Sequence, residues 1–107
     1  MSKLLRVVDA WEYLNEKAFD SSLSKPTIAV WAQLYATAKG GKSALHGAYD
    51  DKKAKIWLLH NDEHKLETLY HEMCHQFMHE VLGEEKFYTH GKVFKEVYQK
   101  GLERLAI

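Results

Sequence analysis

Residues 66–80, LETLYHEMCHQFMHE, are dense in side chains that bind metals and transfer protons. Within them, His71 and His75 enclose Glu72 in a His-Glu-x-x-His arrangement. On an α-helix, residues four apart are separated by about 40° of rotation, so both imidazoles can reach one ion. Glu72 is rotated by about 100° from His71, which suits it to take a proton from a water on that ion. This spacing predicts a zinc hydrolase site with Glu72 as the catalytic base; the competing interpretation is a solvated, histidine-rich helix face.

A catalytic zinc ion needs a third protein ligand and an open fourth position. His79 continues the four-residue spacing, but it lies about 12 Å along the helix axis from His71, so these two cannot share an ion. We therefore predict that His79 is a surface residue. His90 follows a loop that is long enough to fold back over the helix, and we predict that it is the third ligand of one zinc ion per chain. The nearby acidic residues are expected to form a solvated cluster: Glu80, Glu84 and Glu85.

Three amphipathic helices are predicted around these residues. Apolar residues at helical spacing predict a helix over residues 3–19 and a last helix from about His90 to the end. The histidine helix is predicted to begin at a cap on Asn61 or Asp62 and to be stopped by Gly83. Its inward-facing stripe is expected to contain Leu66, Leu69, Tyr70, Met73, Phe77 and Val81.

The middle of the sequence predicts a small sheet. Residues 27–36, TIAVWAQLYA, are β-branched and aromatic and predict a strand, whereas residues 37–43, TAKGGKS, predict a loop. Residues 44–49 and 54–59, ALHGAY and AKIWLL, flank DDKK and predict a hairpin. The expected fold class is therefore α+β, with a small three-stranded sheet covered by the histidine helix.

Size, charge and cysteine content narrow the possible functions. A chain of 107 residues favours one domain, residues 1–107. Its 15 basic and 15 acidic residues cancel, which argues against a dedicated nucleic-acid binder. The single cysteine, Cys74, excludes an intrachain disulfide and an all-cysteine zinc site. No signal peptide is evident, and no apolar run approaches the ~20 residues that span a bilayer, so a cytoplasmic, reducing location without membrane contact is expected.

Two histidine segments resemble the SprT-like zinc metalloprotease family, which includes Spartan. That family shows E-T-L-x-H-E-[ML]-x-H, then a loop and H-G-x-x-F, and this chain has ETLYHEMCH at 67–75 and HGKVF at 90–94. YLNEKAFDSSL is similar to the end of the family's N-terminal helix, and ALHGAYDDKKAKIWLL to the strands before its active helix. The resemblance covers about residues 10–98.

The resemblance implies a minimal zincin-like core that hydrolyses peptide bonds. It implies zinc bound by His71, His75 and His90, with Glu72 as the general base. The best-known members degrade proteins crosslinked to DNA, so a protein or peptide substrate is expected. SprT-like proteins often continue into a cysteine zinc ribbon. With one cysteine, this chain is expected to be a Spartan-type catalytic core without that ribbon.

An exposed edge strand is expected beside the metal, where backbone groups could pair with an extended substrate. Its residues are Leu45, His46, Gly47, Ala48 and Tyr49. Scattered lysines near this strand predict at most weak, salt-dependent, sequence-independent DNA binding. They are Lys39, Lys42, Lys52 and Lys53.

Two other functions fit the same residues. One is a zinc-binding module without peptidase activity that recruits DNA or protein. The other is a repressor-cleaving zinc peptidase outside the SprT group, in which the third ligand is commonly acidic. Zinc binding without turnover would favour the first, and a carboxylate such as Glu96 on the metal would favour the second.

Overall fold

A computed structural model describes residues 3–31, 35–38, 41–44, 46–59 and 65–106. This part of the chain forms a small α+β domain with three helices, as predicted. The helices are α1 (Lys3–Ala18), α2 (Lys65–Glu80) and α3 (Lys92–Leu105). The strands are β1 (Thr27–Trp31), β2 (Tyr35–Ala38), β3 (Gly41–Ala44), β4 (Gly47–Asp50) and β5 (Lys55–Leu59). None of the described helices combines the length and hydropathy that crossing a bilayer requires.

The predicted three-stranded sheet is confirmed, with strand order β1-β5-β4. The central strand, β5, runs parallel to β1 and antiparallel to β4. The hairpin predicted from DDKK joins β4 to β5 and pairs Asp50 with Lys55. Burial alternates along β5, where Ile56 and Leu58 are fully buried and their neighbours are half-buried. One face of the sheet therefore packs against the helices, as the two-residue side-chain period of a strand requires.

A second sheet of two strands departs from the sequence analysis, which assigned residues 37–43 to a loop. β2 and β3 pair antiparallel, with Tyr35 opposite Ala44 and Ala38 opposite Gly41. The loop assignment is therefore wrong for 37–38 and 41–43, while residues 39–40 lie outside the described residues, as do 32–34 of the predicted first strand. Small and polar residues here give no apolar alternation, but the backbone hydrogen bonds of a ladder do not depend on one.

The core lies between the sheet and the helices. Met73 and Leu69 of α2 are fully buried, and Trp11 of α1 and Phe94 of α3 pack into the same cluster. Cys74 is buried too, and burial raises the pKa of its thiol to about 12. α2 is thus the central helix of the domain, and its register fixes where its histidines lie.

The predicted apolar stripe of the histidine helix is wrong at both of its ends. Leu66, near the start of α2, and Val81, the residue after its end, are exposed, because the neighbouring elements cover only the middle of the helix. Gly83 follows the helix with φ of 63°, and the next residue, Glu84, donates its N–H to the Met78 carbonyl at 2.9 Å. A left-handed glycine at this position ends the helix, as predicted. The predicted start caps, residues 61 and 62, lie outside the described residues.

Candidate metal centre

Three imidazoles from two separate segments meet at one point. His71 and His75 lie one turn apart on α2, and His90 comes from the connection before α3. The Nε2 atom of His71 is 3.0 Å from that of His90 and 3.2 Å from that of His75, and the third side of the triangle is 3.1 Å. Tetrahedral zinc with bonds of about 2.0–2.1 Å needs nitrogens roughly 3.3 Å apart, so the triangle fits a metal ion closely.

The tautomer of His75 suits metal binding. Its Nδ1 donates to the backbone carbonyl of Phe87 at 2.6 Å, since a carbonyl can only accept. In a neutral ring, Nε2 then keeps its lone pair and points it into the triangle. A hydrogen bond on the remote ring nitrogen is the usual way in which a protein orients a metal-binding histidine.

The surroundings keep the imidazoles of His71 and His75 neutral. Burial, followed by repulsion from His75 and His90, lowers the pKa of His71 to about 4. Burial also lowers the pKa of His75, against the opposing effect of its hydrogen bond to Phe87. Both rings are therefore unprotonated near pH 7, which is the form that binds metals.

Phe94 supports all three rings from one side. Its ring centroid is 4.9 Å from those of His71 and His90 and 4.8 Å from that of His75. Phe94 is in the first turn of α3, four residues after His90, and only 7% of it is exposed. Its place at the site was not predicted from the sequence, although the four-residue spacing from His90 was available as a signal.

Glu72 lies beside the triangle and is not a member of it. It is 7% exposed and borders a cavity of about 440 Å³ that is also lined by His71. Burial raises the pKa of its carboxyl group to about 7. A cation held by the adjacent imidazoles would favour the ionised form. The carboxylate is therefore positioned to exchange protons with a molecule in the cavity.

The predicted substrate strand contributes part of the cavity wall. His46 and Gly47 line it together with Thr68, and a side chain at position 47 would collide with Thr68, because a Cβ there would be 2.6 Å from the threonine Cγ2. Ala48 and Tyr49 continue along β4 away from the cavity lining, and Leu45 lies outside the described residues. The remaining walls come from Glu67 and Tyr98, which the sequence analysis did not select.

His79 is outside the metal group, as predicted, but it is not merely a surface residue. Its Nδ1 is 3.1 Å from the Tyr49 hydroxyl, and its ring packs on Phe87 with centroids 4.8 Å apart. His79 thereby joins α2 to β4 and to the segment whose carbonyl orients His75. Glu80, expected in a solvated cluster, accepts hydrogen bonds from the backbone and side chain of Ser24 at 2.9 and 3.1 Å.

Comparison of the chain with known protein families, curated proteins and solved structures found no match.

Proposed function

We propose that this chain is a zinc-dependent metallopeptidase of SprT-like type, with a minimal zincin-like core. The observation that supports it most directly is the triangle of His71, His75 and His90, with the buried Glu72 on the wall of the adjoining cavity. Three imidazoles facing one point, with an open cavity next to them, suit a catalytic ion better than a closed structural one. The three histidines support a metal site whichever metal ion binds there.

Each residue has a role in this proposal. A zinc ion on the three histidines would supply a Lewis acid for the scissile carbonyl and for a water molecule. Glu72 takes the proton from the attacking water and returns it to the leaving amine. The Phe87 carbonyl and the Phe94 ring hold the imidazoles in place, so that binding an ion costs little reorganisation.

The polypeptide substrate is proposed to lie along β4. Within the described residues this strand is at the edge of its sheet, since β5 is its one strand partner. The backbone carbonyl of His46 extends that pairing by accepting a hydrogen bond from the Leu59 N–H at 2.9 Å, so the pairing reaches the cavity wall. An extended peptide added to the other side of β4 would pass Glu72, which accounts for a preference for unfolded or flexible chains.

The alternative of a repressor-cleaving zinc peptidase, in which the third metal ligand is acidic, receives less support. The close group contains three imidazoles, and Glu96 is an exposed residue of α3 that is not in it. The non-proteolytic module differs from our proposal only in turnover. In such a module Glu72 would have no chemical role, and nothing would offset the unfavourable free energy of burying its carboxylate.

The decisive experiment separates metal binding from chemistry. Glu72→Gln keeps the shape of the side chain but cannot accept the proton. We expect it to retain zinc while hydrolysis of a flexible protein substrate falls by roughly two orders of magnitude or more. Glu96→Gln is the matched control, and it should keep both zinc and activity. Equal turnover by wild type and Glu72→Gln would remove the general base from the proposal, and loss of zinc in Glu96→Gln would favour the acidic-ligand peptidase.

A further inference from the structure

An apolar groove runs between the three helices, next to the candidate active site. Its volume is about 530 Å³. Its walls come mainly from Tyr13, Leu14, Leu66, Tyr70, Leu102 and Leu105. Three of these side chains are well exposed, with exposed fractions of 55% for Tyr13, 63% for Leu66 and 38% for Leu102. Exposed apolar side chains gathered in one concave place mark a binding surface more often than isolated ones do.

The groove and the active-site cavity share two walls, Glu67 and Tyr98. The Tyr98 ring packs edge-on against the Tyr70 ring, with centroids 4.8 Å apart. The Phe94 ring also lies near Tyr98, with centroids 5.8 Å apart. Tyr70 also donates its hydroxyl hydrogen to the Tyr98 carbonyl at 2.7 Å. One aromatic row therefore connects the support of the metal site to the floor of the groove.

The distance between the groove and the metal site matches the length of a short peptide segment. Leu66 in the groove and His71 at the metal site are five residues apart on α2. This is about 7.5 Å of helix rise and about 140° of rotation, so their Cα atoms are roughly 9 Å apart. An extended peptide advances roughly 3.3–3.6 Å per residue. A side chain two or three residues from the cleaved bond would therefore reach the groove.

We infer that the groove is a specificity subsite for a large apolar side chain, two or three residues from the scissile bond of the polypeptide substrate. This inference rests on the proposed peptidase function and extends it to a substrate class. Folded proteins bury such side chains, so the subsite selects segments that have lost their fold or never had one. A groove lined mostly by carbon discriminates by apolar size, where each methylene group changes selectivity by about tenfold or more.

The test uses pairs of labelled peptides that are identical except for leucine or serine at one position. The position is scanned from one to four residues on both sides of the cleaved bond. Wild-type protein should cleave the best leucine peptide with a kcat/KM at least about tenfold above that of its serine partner. Leu66→Ser should bring this ratio close to one. The matched control is Leu82→Ser, an exposed leucine outside the groove, which should keep the full preference.

A binding measurement decides the inference separately from catalysis. Fluorescence anisotropy with Glu72→Gln protein should show the same leucine preference, and adding Leu66→Ser should abolish it. If peptides are bound with this preference but none is cut, the subsite stands and the peptidase proposal fails. Cleavage or binding without an apolar preference overturns the subsite. A second outcome would also overturn the subsite. If sedimentation shows a wild-type dimer that becomes a monomer in Leu66→Ser, while peptide binding is unchanged, the groove binds a second copy of the chain and not the substrate.

Discussion

Gly47→Ala tests how closely β4 lies against α2 at the wall of the candidate active site. An added Cβ would be 2.6 Å from Thr68 Cγ2 and 3.1 Å from the Trp57 carbonyl oxygen. Carbon atoms prefer separations of about 3.5–4.0 Å, so one of the two elements must move by roughly 1 Å. The strand cannot retreat freely, because Gly47 pairs with the fully buried Leu58.

The expected change in the free energy of unfolding of Gly47→Ala follows from two opposing effects. Overpacking of this kind costs about 1–3 kcal/mol, whereas replacing a strand glycine by alanine returns roughly 0.5–1 kcal/mol of chain entropy. We expect a net loss of about 1–2 kcal/mol in the free energy of unfolding, which lowers Tm by roughly 5–15 °C in a domain of this size. The proposed peptidase activity should fall by more than the loss of stability alone would cause, since the new methyl group would lie 3.5 Å from Cγ of Glu72.

Thermal and urea denaturation of a double-mutant cycle measures the effect. Thr68→Ser removes the colliding Cγ2 but keeps the hydroxyl group, so Gly47→Ala with Thr68→Ser should recover most of the lost stability. Thr68→Ser alone should change stability by less than about 1 kcal/mol. If Gly47→Ala is as stable as wild type, or if the second substitution gives no recovery, the described contact between β4 and α2 is wrong.

Three further substitutions or conditions give distinct outcomes. Phe94→Leu should weaken zinc binding by roughly tenfold or more, because three imidazoles lose their common support, and calorimetric titration with zinc measures this. Tyr49→Phe removes the hydroxyl facing His79 and should cost about 0.5–1.5 kcal/mol of stability with zinc stoichiometry unchanged, as checked by denaturation and metal analysis. Single-stranded DNA should stimulate cleavage of a DNA-bound protein only modestly and only at low salt, because few of the exposed cations, such as Lys52 and Lys53, lie near the proposed substrate strand. Tight binding at high salt would contradict this.

The helices and the closeness of His71 to His75 were predictable because both depend on local spacing. Apolar residues at the helical period located α1 and α3, and the four-residue spacing of His71 and His75 placed two imidazoles on one turn. His90 required only a loop long enough to return to that turn. The inferences on the helices and on His71 and His75 use the geometry of single elements, which the sequence encodes directly.

Long-range packing was less predictable. The parallel pairing of β1 with β5 joins strands that are separated by β2, β3 and β4, and no local pattern specifies it. The exposure of Leu66 could not be foreseen either, because a helical stripe does not reveal which part its neighbours cover. The contact of Phe94 with all three imidazoles depends on the approach of α3 to α2, and therefore needed the fold.

The zinc content of His90→Ala, compared with that of His79→Ala, tests the three-histidine site most directly. Both proteins are dialysed against the same competing chelator and then measured by elemental analysis, with wild type as reference. The triangle of Nε2 atoms predicts about one zinc per chain in wild type and His79→Ala, and a large loss in His90→Ala. Full zinc content in His90→Ala, together with loss in His79→Ala, would contradict the site.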